Sequence, residues 1–276
     1  MICVEGSIEK FWTTRKQTTL VKMLNWLHEF IFEGDVQEKT LIKYPSLSLT
    51  IVTAYVLFVK WIGPAIMKNR KPFNLQYILI VYDAGQVIVN AYLTYTIYCL
   101  TVDGWPHRCM LKKSSVLPLY MQRIMKVGWQ IYLIKYMDLI DTVFFVLRKK
   151  DYQISFLHVF HHAFMCALVS WGLKNAHLGS MGLYLGFAFA INTTVHVIVY
   201  LYYGITALGP HMNKYLWWKK YLTVFQMCQF AAIQGYMVHG FITGCEEFGL
   251  MEVCVFLYVT AIFLMFIDFY QKYKEE

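Results

Sequence analysis

Residues 178–204 read LGSMGLYLGFAFAINTTVHVIVYLYYG, a run without a single Asp, Glu, Lys or Arg. A bilayer core is crossed by roughly 20 predominantly apolar residues in helical form, so this run is long enough to span one. Its amide and imidazole, Asn192 and His196, are four residues apart and therefore share one helix face. Six further apolar stretches accompany it, at approximately 46–67, 75–100, 117–147, 154–173, 216–241 and 250–271. The third is interrupted by Arg123, Lys126 and Lys135. The expected fold class is all-α, a polytopic membrane protein with seven transmembrane helices.

Composition agrees. Of 276 residues, 58% are hydrophobic and 15% charged, against about 45–50% and about 25% in soluble domains. Disorder, a coiled coil and a secreted disulfide scaffold are excluded. The net charge of +8 does not point to nucleic acid, because the cations fall in short clusters between apolar runs. Lys68, Arg70, Lys71, Arg148, Lys149, Lys150, Lys214, Lys219, Lys220, Lys272 and Lys274 lie on one side of the expected membrane. The opposite connections hold only Arg108, Lys112, Lys113 and Lys174. The positive-inside rule then puts the N-terminus outside the cytosol and the C-terminus within it. Residues 1–45 form an N-terminal segment with interfacial character, carrying Leu20, Val21, Leu24 and Leu27. Residues 46–271 form the membrane domain and 272–276 a cytosolic tail. No secretory signal peptide is expected.

Cys99, Cys166, Cys228 and Cys254 lie in apolar runs and read as small buried side chains. Cys109 and Cys245 sit in polar connections on the same, lumenal side, where a disulfide can form. Asn192-Thr193-Thr194 matches a glycosylation sequon but falls inside a span.

Ionisable and amide side chains are costly in a membrane, so those in the spans are candidate functional residues. Span three holds Lys135, Asp138 and Asp141, with Thr142. Span four opens with His158, His161 and His162, at i, i+3 and i+4. Span five carries Asn192 and His196, then Tyr200 and Tyr203; span six carries Thr223, Gln226 and Gln229. Asp141, His158, His196 and Gln226 each lie six to eight residues from one end of their helix, hence roughly 9–12 Å deep. Four helices presenting polar groups at one depth make a single buried site.

Three histidines within five residues can ligate iron or zinc. Alternatively, one attacks or deprotonates a substrate while its neighbours orient it. Of the nine histidines, His28, His107, His177, His211 and His239 lie away from this depth. The count favours imidazole chemistry over an iron-dependent membrane desaturase or hydroxylase, and no metal is expected. A seven-helix receptor or transporter would share the topology without needing the histidine cluster.

At these residues the chain resembles the very-long-chain fatty acid elongases, membrane-embedded 3-ketoacyl-CoA synthases of the endoplasmic reticulum. The resemblance rests on Gly63-Pro64 and Asn69-Arg70-Lys71-Pro72-Phe73, on Lys135–Thr142 followed by Phe144–Lys150, and on Ser155–His162. It continues through Asn192–His196 with Tyr200, and Lys214–Thr223 with Gln226 and Gln229. The family usually has Glu where this chain has Asp138, and Met where it has Val199.

The resemblance implies condensation of a long-chain acyl-CoA with malonyl-CoA through an acyl-imidazole, without a cofactor. His161 would be the nucleophile, His196 its partner, and His158 and His162 would orient it. Asn192, His196, Gln226 and Gln229 would stabilise the enolate, while Lys135, paired with Asp138 and Asp141, would hold helix three against the site. Arg148, Lys149, Lys214, Lys219 and Lys220 would meet the CoA phosphates. The acyl chain would occupy a buried tunnel running toward the lumen, lined in part by Met181, Leu183 and Leu185. The tail Lys272-Tyr273-Lys274-Glu275-Glu276 resembles a KxKxx retrieval signal of endoplasmic reticulum membrane proteins. The implied partners are that membrane, the reductases and dehydratase of the elongation cycle, and other copies or paralogues in an oligomer.

Overall fold

The computed structural model describes residues 19–107, 109, 117–175, 182–245 and 249–275. Two compact units divide after Asp35. In the first, helix α1 (Thr19–Phe32) exposes Met23, Leu24 and Trp26 and stacks Trp26 on Phe30, with ring centroids 5.5 Å apart.

The second unit, Val36–Glu276, is built of helices joined by short connections, with no strand among its described residues. Helix α2 (Pro45–Met67) begins with proline at its first turn, where a missing amide hydrogen costs nothing. It widens into a π turn at Phe58–Ile62. Then come α3 (Gln76–Gly104), α4 (Leu117–Leu147), α5 (Phe156–Lys174), α6 (Gly182–Ala207), α7 (Lys219–Thr243) and α8 (Leu250–Glu275). These match the seven apolar stretches closely. Five of them, α2, α3, α5, α6 and α8, are long and apolar enough to cross a membrane. At 31 and 25 residues α4 and α7 are also long enough, but they fall short in apolarity. The expectation of seven spans is therefore met for five by hydropathy. In α4 the shortfall has a local cause, since Lys135, Asp138 and Asp141 all sit on it and all are buried.

Six helices close a ring in which each packs on the next: α3 on α4, α4 on α5, α5 on α8, α8 on α7, α7 on α6, and α6 back on α3. Helix α2 stands outside, packed on α5 and drawn close to α4 at Gly63. A Cβ at Gly63 would lie 2.7 Å from Val146 Cγ1, so only glycine permits that approach. Where neighbouring surfaces are as apolar as lipid, interhelical hydrogen bonds and close packing must hold a bundle together. Thr94 donates to Thr193 at 2.8 Å between α3 and α6, and Tyr82 to the Met137 carbonyl at 2.8 Å between α3 and α4. Gln234 donates to the Phe256 carbonyl at 3.1 Å between α7 and α8. Ser48, Tyr132 and Tyr136 form a triangle of hydroxyls at 2.7–2.9 Å that ties α2 to α4. The segment before α2 packs at the C-terminal end of α5, where Gln37 donates to the Leu173 carbonyl at 2.8 Å.

Cys109 and Cys245 form a disulfide between the α3–α4 and α7–α8 connections. Cys166 is fully buried, but Cys228 is exposed, contrary to the expectation of a small core side chain. It faces outward from α7, where lipid rather than protein covers an apolar residue. The disulfide closes a separation of 136 residues. The Cys109→Ser/Cys245→Ser variant should lose about 2–5 kcal/mol of stability, measured as a lowered thermal midpoint in detergent.

Candidate active site

Ser155 sets the start of α5, its Oγ accepting from the His158 amide at 3.2 Å. This cap satisfies one of the free amides of the first turn and fixes where the three histidines begin. His158 Nε2 lies 3.0 Å from Thr142 Oγ1 on α4, and Thr142 lies 2.8 Å from the Tyr55 hydroxyl on α2. The His162 ring sits between its neighbours, 4.3 Å from His158 and 5.3 Å from His161 between centroids. His161 turns the other way, with Nδ1 2.7 Å from the Tyr258 hydroxyl on α8.

Beside the histidines lies a buried polar network centred on Lys135. Its ammonium donates to Asp138 Oδ2 at 3.0 Å, Asn192 Oδ1 at 3.1 Å and His196 Nε2 at 3.5 Å. Side-chain exposure is 2% for Lys135 and 0% for Asp138. His196 Nδ1 faces the Asn192 carbonyl at 2.8 Å. A carbonyl can only accept, so Nδ1 carries the proton and Nε2 presents its lone pair to Lys135. Tyr200 reaches both carboxylates, at 3.0 Å from Asp138 Oδ1 and 2.6 Å from Asp141 Oδ2. The expected pairing of Lys135 with both aspartates is thus corrected, since Lys135 holds Asp138 and Asp141 is bound by Tyr200. One further turn along α4 carries Asp141 past the reach of the ammonium.

The network includes residues that the sequence reading passed over. Gln86 on α3 donates to Asp138 Oδ1 at 3.2 Å and to the Tyr82 hydroxyl at 2.9 Å. Asp83, Gln86 and Asn90 are all buried on one face of α3. Their i, i+3, i+7 spacing inside an apolar stretch was the available signal, the same one that exposed Lys135. Tyr258 and Tyr55 carried no such mark, because a tyrosine in a span is unremarkable until its partner is known.

The six-helix ring encloses a cavity of about 340 Å3. His161, Asn192, Gln229 and Tyr258 mark one end and Tyr120, Asn175, Leu250 and Glu252 the other, with walls that are almost wholly apolar. Leu185 lines it; Met181 lies outside the described residues, as does the Leu183 side chain. Gln229 lines the cavity, and Gln226, one turn earlier on α7, is half-buried and outside that lining. Tyr203 stacks edge-on against Tyr200, with centroids 6.1 Å apart.

Arg148 and Lys149 follow α4 directly; Lys149 takes a left-handed backbone (φ 53°) and donates to the Lys68 carbonyl at 3.2 Å. Lys214 and Lys219 are exposed, and the Lys220 side chain lies outside the described residues. Among the described residues no three His, Cys, Asp or Glu side chains are grouped to hold a metal ion.

Comparison with known proteins gives a consistent result. Residues 40–276 match the model of the ELO family, described as the GNS1/SUR4 family. The chain is 38% identical over 262 residues to very long chain fatty acid elongase 1 of Mus musculus, covering 92% of this chain and 91% of that protein. It is 35% identical over 272 residues to very long chain fatty acid elongase 4 of Homo sapiens, covering 98% and 84% respectively.

Removing one partner of the central ion pair leaves a buried charge uncompensated. Lys135→Met should destabilise the protein by about 3–5 kcal/mol. Adding Asp138→Leu should recover most of that loss in a thermal-unfolding double-mutant cycle.

Proposed function

The chain belongs to the ELO, or GNS1/SUR4, family, and on that premise we propose that it condenses a long-chain acyl-CoA with malonyl-CoA. The products are a 3-ketoacyl-CoA two carbons longer, CO2 and CoA. Its relatives directly support a multi-pass membrane enzyme of fatty acid elongation. One observation carries the finer reading: His161 stands at the head of an apolar cavity walled by six helices.

In the first step His161 Nε2 attacks the thioester carbonyl of the acyl-CoA. The new C–N bond replaces the C–S bond, giving an acyl-imidazole cation that keeps its Nδ1 proton, and CoA leaves as a thiolate that takes its proton from bulk water. Tyr258, at 2.7 Å, holds Nδ1 and so fixes the ring with Nε2 toward the substrate. An acyl-imidazole remains activated, and an enclosure of side chains protects it from water. Malonyl-CoA then loses CO2, its C–C bonding pair remaining as an enolate. That carbanion attacks the acyl carbonyl, the C–N bond breaks, and His161 is restored. The enolate oxygen needs donors where charge develops. Asn192 and Gln229 have amides at the cavity, and Lys135 stands behind His196 as a source of positive charge. No step requires a bound metal or cofactor.

The hydrocarbon chain lies in the cavity and the CoA leaves by the end of the bundle that bears Arg148 and Lys149. This end faces the cytosol of an endoplasmic reticulum membrane, with the Cys109–Cys245 disulfide in the lumen and the C-terminus cytosolic. Helices α4 and α7 complete seven spans, with Lys135, Asp138, Asp141 and Gln229 buried inside the bundle. Reductases and a dehydratase take the 3-ketoacyl-CoA onward, and the enzyme works alone or in an oligomer.

The test is condensation in isolation: purified protein, a series of acyl-CoAs, labelled malonyl-CoA, a metal chelator and no NADPH. Release of CO2 with a 3-ketoacyl-CoA is the expected result. His161→Ala should abolish it, and turnover retained in that variant would remove His161 as the nucleophile.

A further inference from the structure

The cavity follows one face of α5, through His161, Met165, Val169 and Gly172. At about 1.5 Å of rise per residue, Gly172 lies roughly 16 Å beyond His161. Three glycines on three helices, Gly128, Gly172 and Gly186, line this space, and what stands opposite each differs. A Cβ on Gly128 would come 2.8 Å from Leu173 Cδ2, a side chain packed into the core. On Gly186 it would come 3.3 Å from Thr101 Oγ1, a hydroxyl committed to the Ile97 carbonyl at 2.8 Å. On Gly172 it would come 3.0 Å from Met251 Cε, the far end of a flexible chain.

Met251 lies in the first turn of α8, where Glu252 Oε2 accepts from the Gly249 amide at 2.8 Å. Four residues before Gly249, Cys245 is fixed by its disulfide. The methionine thus presents a conformationally soft thioether across the cavity from the first turn of α8, facing a residue with no side chain.

We propose that Gly172 and Met251 together form the stop that sets the longest acyl chain this protein accepts. The proposal rests on the condensation reading above and adds to it the residues that decide product length. Glycine at 172 leaves the Met251 methyl room to lie against α5. A larger residue there pushes the thioether into the path of the chain, and a smaller one at 251 removes the obstacle.

The experiment uses the full-length protein in membranes with saturated acyl-CoAs of increasing length and labelled malonyl-CoA. Gly172→Val should lower the longest products relative to the shortest by about tenfold or more, and Met251→Ala should raise them by about as much, the usual worth of one apolar group in a pocket. A purely structural role would depress all lengths alike in both variants. A second readout avoids turnover: thermal stabilisation by non-hydrolysable acyl-CoA thioethers of the same lengths should peak at shorter chains in Gly172→Val and longer chains in Met251→Ala. Length profiles that match the wild type in both variants, or that move in the same direction, overturn the proposal. A wild-type protein that stabilises with chain length but makes no 3-ketoacyl-CoA would instead sink the condensation reading and leave the stop to be judged by the thermal series.

Discussion

A single ammonium group, that of Lys135, governs how the centre of this protein is put together. A charge with 2% exposure inside a membrane bundle is tolerable only if each of its hydrogens finds an acceptor. The three acceptors are Asp138, one turn along on the same helix, and Asn192 and His196 on α6. Asp138 must in turn satisfy its other oxygen, which Tyr200 and Gln86 supply from α6 and α3. Meeting one desolvated charge therefore fixes the relative heights of α3, α4 and α6 to within a hydrogen bond. The His196 tautomer is settled by the same geometry, since its other nitrogen can only donate to the Asn192 carbonyl.

The interior of the ring is divided by depth. Around Lys135 it is hydrogen-bonded side chain upon side chain, and toward the disulfide it is an apolar cavity. His161 sits at the boundary, reaching Tyr258 with one nitrogen and lining the cavity. Such a boundary suits a reaction whose substrate is a charged thioester at one end and a hydrocarbon at the other, as proposed here. The outer helix α2 takes part at a distance, because its Tyr55 meets Thr142, which meets His158.

Most of the architecture was legible because hydrophobicity in a membrane protein is a nearly direct record of position. The apolar run 178–204 and the helix Gly182–Ala207 coincide within a few residues. The record blurs for α4 and α7, where buried polar residues such as Lys135, Asp138, Asp141 and Gln229 lower the average on which a span is recognised. The site was legible where polarity was conspicuous, at the three histidines, Lys135, Asp138, Asn192 and His196. It was misread where rotation about a helix mattered: Asp141 passes beyond Lys135 to Tyr200. Gln86 was missed although its setting obeyed the same rule as Lys135. Tyr258 could not have been found, since its part depends on a contact between residues 97 positions apart.

That contact has a consequence for how the enzyme comes into being. Helix α5, which carries the histidines, enters the membrane early, but the ring closes only when α8 packs against it. Until the ribosome has delivered Tyr258, His161 lacks its hydroxyl partner and the cavity lacks a wall. A nascent chain therefore holds His158, His161 and His162 in the bilayer without the arrangement that, as proposed, makes one of them reactive. On the proposed reading, catalytic competence arrives with the last helix, and an unfinished chain would be inert toward the thioesters around it.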